Sequence, residues 1–206
     1  MEKYREQLEN LQKEIKELES RSATYSGIRF VAFLAAAAGL IIGIYDGRGV
    51  FVGAGILLTI AFIAMVFVHG RLSEKLEYKK AEAEVTRRYI ARFGDDWKKF
   101  EENGSEYLTD EDLAARDMDL LGASSLFQFI CTAGTEEGRR SLAKSIKNPE
   151  YTTEMIKKRQ QAIKELGEKE DFSRAFETLG VKTGMGKKKK YTADEFVAYC
   201  SSDVHI

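Results

Sequence analysis

Two uncharged apolar runs decide the fold of this chain: Phe30 to Tyr45 reads FVAFLAAAAGLIIGIY, and Val50 to Val68 reads VFVGAGILLTIAFIAMVFV. A helix rises about 1.5 Å per residue and the hydrocarbon core of a bilayer is about 30 Å thick, so the second run is long enough to cross it. The first run is slightly short, and Ile28 with a snorkelling Arg29 extends it. The pattern predicts a transmembrane helical hairpin over residues 28–69.

Two other interpretations of these runs are a helical hairpin buried in a soluble core and a cleaved signal peptide. A core helix of a soluble protein usually shows one polar face, and neither run does. The stretch before the first run is long and evenly charged, and a second run follows at once, which disfavours a signal peptide. Both observations favour the membrane hairpin.

The connection between the runs predicts how they meet. Asp46-Gly47-Arg48-Gly49 is a turn-forming tetrad that is too short for a crossover, so we expect antiparallel neighbours. Ala35, Gly39 and Gly43 recur every four residues. Small residues at this spacing let two helix backbones approach closely, so these three predict the line of contact.

Basic residues flank the hairpin unequally, and this predicts its orientation. The flanks contain Arg21, Arg29, Arg71, Lys75, Lys79 and Lys80. The turn offers only Arg48, beside Asp46. The positive-inside rule therefore predicts that both termini are cytoplasmic and that the turn lies on the other side of the membrane.

The composition favours an all-α fold. The chain has 206 residues, a formal net charge of −1 and a single proline, Pro149. Abundant Glu, Lys, Leu and Ala indicate long helices, and a charge so close to zero gives no overall attraction to nucleic acid or anionic lipid. Cys131 and Cys200 lack the spacing of a metal site, and we expect packing roles for both.

Residues 1–27 contain a heptad pattern that predicts an N-terminal coiled-coil arm. Its seam consists of Tyr4, Leu8, Leu11, Ile15, Leu18, Ser22 and Tyr25. Such a narrow stripe needs a partner helix. Residues 70–93 predict a returning coiled-coil helix, although Lys79 and Thr86 interrupt its stripe. That stripe consists of Leu72, Leu76, Ala83, Ile90 and Phe93. The two arms would pair as a stalk within one chain or make a homo-oligomer, and both remain open.

Residues 94–118 are expected to form an acidic connector. Gly94 is predicted to end the preceding helix as a left-handed cap, and Trp97 and Phe100 are expected to attach the connector to its neighbours. Asp110-Glu111-Asp112 lacks the glycine and the ligand spacing of an EF-hand loop, so we expect no metal site here. Thr109 followed by acids is typical of a helix N-cap instead.

Residues 119–206 are predicted to be a small helical domain with a basic loop. Thr135 is expected to begin one helix, which Asn148-Pro149 breaks, and Thr152 or Thr153 to begin the next. The later helix presents apolar residues on one side, and a further apolar turn follows it. These residues are Met155, Ile156, Ala162, Ile163 and Leu166, and then Phe172, Phe176 and Leu179.

Part of this domain resembles a known family. Residues 119–128 read DLLGASSLFQ and residues 132–140 read TAGTEEGRR, and Pro149 and the stretch RQQAIKEL at 159–166 follow in order. This series is similar to the start of the core domain of MutS-type DNA mismatch-repair proteins, and the membrane hairpin resembles a bacterial subgroup of that family. The motif positions, expected to be structural, are Gly122, Ser125, Leu126, Phe127, Thr132, Thr135, Gly138 and Arg139. Cys131 and Gly134 depart from the pattern, which commonly has Asn and Arg there.

The resemblance implies a membrane-anchored MutS-like protein, in a fragment or truncated form. Its helical core would position an ATP-driven DNA-binding module at the inner (plasma) membrane of a bacterium. Full-length relatives are ATPases that use ATP and Mg²⁺ and bind DNA, but this chain has no G-x-x-x-x-G-K-[ST] phosphate loop, so we expect no enzyme and no cofactor. The alternative is a two-span adaptor that binds a protein partner through its stalk and helical domain.

Four consecutive lysines, Lys187, Lys188, Lys189 and Lys190, follow glycines near the end of the chain. They are candidate contacts for the phosphate groups of DNA or of anionic lipid, since lysines near such a surface contribute roughly 1 kcal/mol each. Gly184-Met185-Gly186-Lys187-Lys188 imitates a phosphate loop, but the first glycine and the hydroxyl residue are missing. A solvated loop is the interpretation that the composition favours.

Overall fold

The computed structural model describes residues 1–47, 49–147 and 151–184, and within these ranges the chain is all-helical and has no strand. The all-α prediction is therefore confirmed. The α-helices are α1 (Glu2–Asp46), α2 (Gly49–Arg92), α3 (Leu113–Asp117), α4 (Leu126–Ile130), α5 (Glu136–Lys147), α6 (Thr153–Glu168) and α7 (Glu170–Gly184). Two 3₁₀ turns, Asp96–Lys99 and Ser105–Tyr107, lie between α2 and α3.

The chain forms two compact units. The hairpin unit is Glu9–Lys80, and the head unit combines Met1–Leu8 with Ala81–Ile206, described as far as Gly184. Helix α1 continues from a charged arm into an apolar run, and α2 continues from an apolar run into a charged arm. Neither helix is interrupted, since no proline occurs in either. Both helices are long enough and apolar enough to span a membrane, as judged by length and composition.

The hairpin unit is an antiparallel pair of helices with one register. Leu40 lies against Gly55, the rings of Phe33 and Phe62 are 5.8 Å apart, and Glu14 pairs with Lys79 at 3.1 Å. The residue number on α2 rises as the number on α1 falls, as an antiparallel pair requires. The predicted interruption at Lys79 thus becomes an interhelical ion pair. Leu11 and Leu18 of the predicted seam are buried.

The line of close approach differs from the one predicted by the four-residue repeat. Ala36 and Gly43 are buried on α1, whereas Ala35 is exposed and Gly39 is half-buried. Ala36, Leu40 and Gly43 follow steps of four and three, which is the spacing of a left-handed helix pair. On α2 the buried glycine is Gly55.

Replacing Gly55 with leucine is expected to separate the two helices. A Cβ atom at Gly55 would lie 2.8 Å from Cγ and 2.9 Å from the backbone nitrogen of Leu40, so the backbone itself has to shift. Overpacking of this kind costs about 1–3 kcal/mol. The matched control is Gly53→Leu, because a Cβ at Gly53 meets no atom within 4 Å. Crosslinking of cysteines placed at 33 and 62, quantified by mass spectrometry, should fall only for Gly55→Leu. Equal yields for both variants would contradict the assigned contact.

The head unit is organised around Phe127, whose side chain is completely buried. Its core consists of Ala115, Leu121, Phe127, Cys131 and Ala143, with Tyr107, Leu108, Leu120, Ala133, Leu142 and Ile146 packed against them. Gly104 allows the connector to pass over the Phe127 ring, because its φ is +77° and a Cβ there would lie 2.7 Å from the ring. The acidic connector is therefore part of the head core.

Two predictions about helix ends are wrong in detail. Helix α2 ends at Arg92, and Gly94 is not left-handed; Phe93 and Gly94 instead donate to the carbonyls three residues earlier. The cap of α3 is Asp112, and Thr109 donates to it instead of acting as the cap.

The apolar residues of the last two helices are exposed. In α7, Phe172, Phe176 and Leu179 are exposed, while Glu177 and Thr178 are buried. Helix α6 begins after Thr152, whose hydroxyl accepts a hydrogen bond from the Met155 N–H as predicted, but it buries no residue. The predicted break at Asn148-Pro149 lies outside the described residues.

Candidate functional site

The residues that resemble the MutS-type motif form the turn before α4. Gly122 has a φ of +104°, and its N–H donates to the Asn103 carbonyl at 2.8 Å. Ser125 is the N-cap of α4 and accepts a hydrogen bond from the Gln128 N–H at 3.2 Å. A serine oxygen at this position satisfies one of the free N–H groups of the first helical turn. The pattern Gly-x-x-Ser therefore sets where α4 begins and directs Phe127 into the core.

Gln128 fastens this turn to the acidic connector. Its side-chain oxygen accepts from the Ser124 N–H at 2.7 Å. Its side-chain nitrogen donates to the carbonyls of Phe100, at 2.6 Å, and Lys98, at 3.2 Å. Gln128 is buried, and each polar group of its amide has a partner. Sequence reasoning did not select Gln128, since nothing in the pattern distinguishes a buried glutamine from an exposed one.

The second half of the motif begins α5. The Thr135 hydroxyl accepts from the Gly138 N–H at 3.1 Å, as expected for the residue before a helix. A Cβ at Gly138 would lie 3.0 Å from the Thr135 hydroxyl oxygen, so the cap favours glycine there. Arg139 is buried and donates to the Ala133 carbonyl at 3.4 Å. Leu126 and Thr132 are exposed, so the motif residues do not converge on one surface.

Arg92, the last residue of α2, joins that helix to α4. Its Nε donates to the Phe129 carbonyl at 2.8 Å, and its Nη2 donates to the Cys131 carbonyl at 2.9 Å. The last carbonyls of a helix lack intrahelical partners, and a cation favours that end of the helix dipole. The guanidinium also lies 5.3 Å from the Phe100 ring centroid and 5.9 Å from that of Tyr89. We call this group of residues the Arg92 joint.

Glu177 of α7 completes the Arg92 joint. Burial raises the pKa of its carboxyl, while the nearby Arg92 charge and a hydrogen bond from Tyr89 act in the opposite direction. Burial of the Tyr89 hydroxyl and the nearby negative charge of Glu177 raise the pKa of Tyr89 to about 12. Within the described part of the chain, Oε1 of Glu177 and Nη1 of Arg92 are buried without a hydrogen-bond partner. The sequence signals for this joint are weak: a basic last helical residue, Arg92, and an acid, Glu177, that directly follows Phe176.

Asp112 and Lys147 form a second polar contact in the head. Lys147 Nζ donates to Asp112 Oδ2 at 2.6 Å and to the Tyr107 carbonyl at 2.7 Å. The contact joins the connector to the end of α5. The hydrogen bond from Lys147 is the main cause that lowers the pKa of the Asp112 carboxyl to about 2, and hydrogen bonds from the N–H and hydroxyl of Thr109 lower it further.

This contact predicts a pH dependence of stability. The pKa of Asp112 is lowered in the folded state, so its contribution is complete above the unfolded pKa of about 4 and declines as the pH falls toward 2. In urea unfolding of the full chain in micelles, Asp112→Asn should lower stability at pH 6 and lower it by only about half as much at pH 3. Asp110→Asn is the control, because Asp110 is fully exposed. A deficit of equal size at both pH values would show that the contact does not depend on the charge.

The other candidate residues do not form a site in the described ranges. Lys187, Lys188, Lys189 and Lys190 lie outside the described residues, as does Cys200. Cys131 is buried, and burial raises the pKa of its thiol, which disfavours the reactive thiolate. No group of His, Cys, Asp and Glu in the described ranges is arranged to hold a metal ion. The geometry found is that of structural joints between helices.

No protein-family model, curated protein or solved structure matches this chain. The MutS-type resemblance therefore depends on the motif residues alone and remains a prediction.

Proposed function

We propose that this chain is a two-span membrane anchor whose head unit holds a MutS-like helical core segment at the cytoplasmic face of a bacterial inner membrane. By itself it is non-catalytic, and in a longer form it positions an ATP-driven DNA-binding module at the membrane. One observation carries the anchor: only 11% and 6% of the most apolar windows of α1 and α2 are buried within the chain. A core helix of a soluble protein would be mostly covered, so this exposure supports a non-aqueous surrounding for both runs.

The head supports the second half of this proposal. Ser125, Phe127 and Thr135 of the motif cap helices or fill the core, and Gln128 ties their turn to the connector. A motif used in this way preserves a local fold and performs no chemistry, as expected for the start of a larger core. The Arg92 joint fixes that fold to the end of α2, so the helix that contains the second apolar run leads directly into the head.

The anchor and its orientation are tested together. Carbonate extraction should leave the chain in the membrane pellet, and release into the supernatant would overturn the anchor. A membrane-impermeant maleimide should label Gly47→Cys in the turn of intact spheroplasts, and Lys13→Cys in the arm only after permeabilisation. The positive-inside rule gives this expectation, and the opposite labelling pattern would place the head outside the cytoplasm.

The MutS-like part is tested on the native gene product. An antibody against the head, followed by mass spectrometry of the captured protein, gives the true length of the native chain. A product that continues into a phosphate-loop ATPase supports the proposal. DNA binding by that product should then change when the lysine of its phosphate loop is replaced, or when the bound nucleotide is changed. A native product without such a continuation favours the second candidate function.

That second candidate is a membrane adaptor without a nucleic-acid role. One observation favours it: every residue of α6 is exposed, although the helix has an apolar stripe. A photo-crosslinker at Gln160, on α6, distinguishes the two functions in cells. Crosslinks to a DNA-binding ATPase support the first function, and crosslinks to another membrane-associated protein support the adaptor.

A further inference from the structure

Helix α7 is docked in the head through polar residues. Its buried residues are Glu177 and Thr178, whereas Phe172, Phe176 and Leu179 are exposed. Burial of an apolar face is what usually holds a helix to its domain, and none of these three large side chains supplies it. The position of α7 therefore depends on individual polar contacts, and an element with few buried apolar contacts opens easily when its partners move.

Two carboxylates of α7 contact the two arms. Glu170 and Glu177 are seven residues apart, which places them on one face of the helix, about 10 Å apart along its axis. Glu170 accepts a hydrogen bond from the Tyr4 hydroxyl at 3.0 Å, and Glu177 accepts one from the Tyr89 hydroxyl. Tyr4 lies in the first turn of α1, and Tyr89 lies in the last turn of α2. Helix α7 therefore holds one end of each arm.

The same two tyrosines also join the arms to each other. The rings of Tyr4 and Tyr89 are stacked, with 5.7 Å between centroids and 15° between planes, and the Tyr4 ring lies 6.0 Å from that of Phe93. Aromatic rings at these distances attract each other. Because the rings are in contact, the pairing of the arms sets the positions of both hydroxyls. We call Tyr4, Tyr89, Glu170 and Glu177 the tyrosine latch.

The two ends of the tyrosine latch differ in strength. Glu177 is only 7% exposed and lies beside the Arg92 charge. The Glu170 side chain is 44% exposed, and its ion pair with Lys3, at 3.4 Å, faces solvent. Exposed ion pairs contribute little to stability, because water screens them. The contact of Glu170 with α1 is therefore the weaker end, and it opens before the contact of Glu177 with α2.

We propose that the tyrosine latch couples the pairing of the two arms to the docking of α7. While the first turn of α1 lies against the last turn of α2, both hydroxyls hold α7 in place. When α1 moves away, Glu170 loses its partner, and the first half of α7 loosens while Glu177 keeps the second half in the head. The two arrangements differ by defined contacts, as a conformational switch requires. This device goes beyond the anchoring function and does not depend on it.

Tyr4→Phe tests the contact itself. It removes the hydroxyl and keeps the ring, so only the hydrogen bond to Glu170 is lost. In hydrogen exchange of the full chain in micelles, the amides of residues 173–177 should exchange roughly two- to tenfold faster, the factor that one hydrogen bond contributes. Tyr25→Phe makes the same change at an exposed tyrosine of α1 and should not alter these rates. Unchanged exchange in Tyr4→Phe overturns the proposal.

Leu11→Asp tests the coupling to the arms. Leu11 is a buried residue of the α1 seam, two helical turns from Tyr4, and a carboxylate there should separate the arms. Exchange at residues 173–177 should rise at least as much as in Tyr4→Phe, although every residue of the tyrosine latch is intact. The control, Gln12→Asp, places the same charge at an exposed position and should leave α7 protected. If α7 stays protected in Leu11→Asp as well, the proposal is wrong.

The double variant distinguishes a latch from two unrelated effects. Since Leu11→Asp already separates Tyr4 from Glu170, adding Tyr4→Phe to it should increase the exchange of α7 no further. Additive increases would mean that the arms and the hydroxyl act on α7 independently, and they overturn the proposal. The amides of α5 report the head core. If they also exchange faster in Leu11→Asp, the milder Leu11→Ala replaces it; an α7 that then changes only together with α5, or not at all, overturns the proposal.

Discussion

Arg92→Ala is expected to destabilise the head by about 3–5 kcal/mol. Two hydrogen bonds from its guanidinium, to the Phe129 and Cys131 carbonyls, would be lost, and bonds from a charged donor contribute roughly 1.5–3 kcal/mol each. Glu177 would also remain buried without the cation that favours its charged form. Removing one partner from a buried charge pair leaves an uncompensated charge.

Trp97 reports this unfolding directly. It is the only tryptophan of the chain, and its ring lies edge-on to Phe129 with 5.1 Å between centroids. Urea titration of the full chain in micelles, followed by tryptophan fluorescence, therefore reports the head and not the hairpin. Arg87→Ala is the matched control, because Arg87 is exposed on the same helix and pairs with Glu84; its cost should stay within about 0.5 kcal/mol. Equal losses for the two variants would contradict the Arg92 joint.

A double-mutant cycle separates the two parts of the Arg92 effect. Glu177→Gln removes the buried negative charge, so it should recover part of the loss in the Arg92→Ala background. The part that remains belongs to the two carbonyls that lose their donor. No recovery at all would show that Glu177 and Arg92 do not interact.

Much of the helical fold could be predicted from sequence because its causes are local. Helix formers, the absence of proline before Pro149, and two apolar runs determine α1 and α2 without reference to distant residues. Thr135 and Thr152 begin their helices as predicted, since an N-cap acts within three residues. The same holds for the turn at Gly47, whose φ is +66°.

The faces of the later helices could not be predicted because they depend on residues far along the chain. Phe172, Phe176 and Leu179 of α7 are exposed, whereas Glu177 is buried because it lies against Arg92 and Tyr89. Thr86 is a polar residue in the predicted stripe of α2, but it is buried with its hydroxyl donating to the Glu82 carbonyl at 2.8 Å. A hydroxyl satisfied within its own helix can be buried like an apolar group.

The candidate site also contains residues whose roles are set locally and residues whose roles depend on distant segments. Ser125, Phe127 and Thr135 could be assigned structural roles from the motif, because capping and core residues have local signatures. Gln128 and Arg92 could not, since their partners are carbonyls of segments 28 to 39 residues away. Gly134, a departure from the motif pattern, has its explanation only in the structure: its backbone touches the backbone of Gly180 in α7.

Gly134→Ala is therefore expected to destabilise the docking of α7 by about 2–3 kcal/mol. A Cβ at Gly134 would lie 2.6 Å from both Cα and the carbonyl carbon of Gly180, and a helix backbone cannot rotate away as a side chain can. This clash can be relieved only if α7 moves, and that movement strains the contacts of Glu177. The destabilisation therefore lies at the upper end of the range for overpacking. The alkylation rate of Cys131, which is buried three residues before Gly134, should rise in a Cys200→Ser background, and hydrogen exchange of α7 should become faster.

Two further glycine variants make this prediction specific. In Gly180→Ala the new Cβ would lie 3.3 Å from Gly134 Cα, a tight contact that a shift of a few tenths of an ångström relieves. The gain in helix propensity offsets this cost, so we expect little net change. In Gly167→Ala no atom lies within 4 Å, and α6 should gain about 0.5–1 kcal/mol. Glycine-to-alanine substitution should therefore stabilise the chain at Gly167, have little effect at Gly180, and destabilise the chain at Gly134. If Gly134→Ala leaves Cys131 as protected as Gly180→Ala does, the two backbones do not meet, and the contact that fixes α7 in the head must be assigned elsewhere.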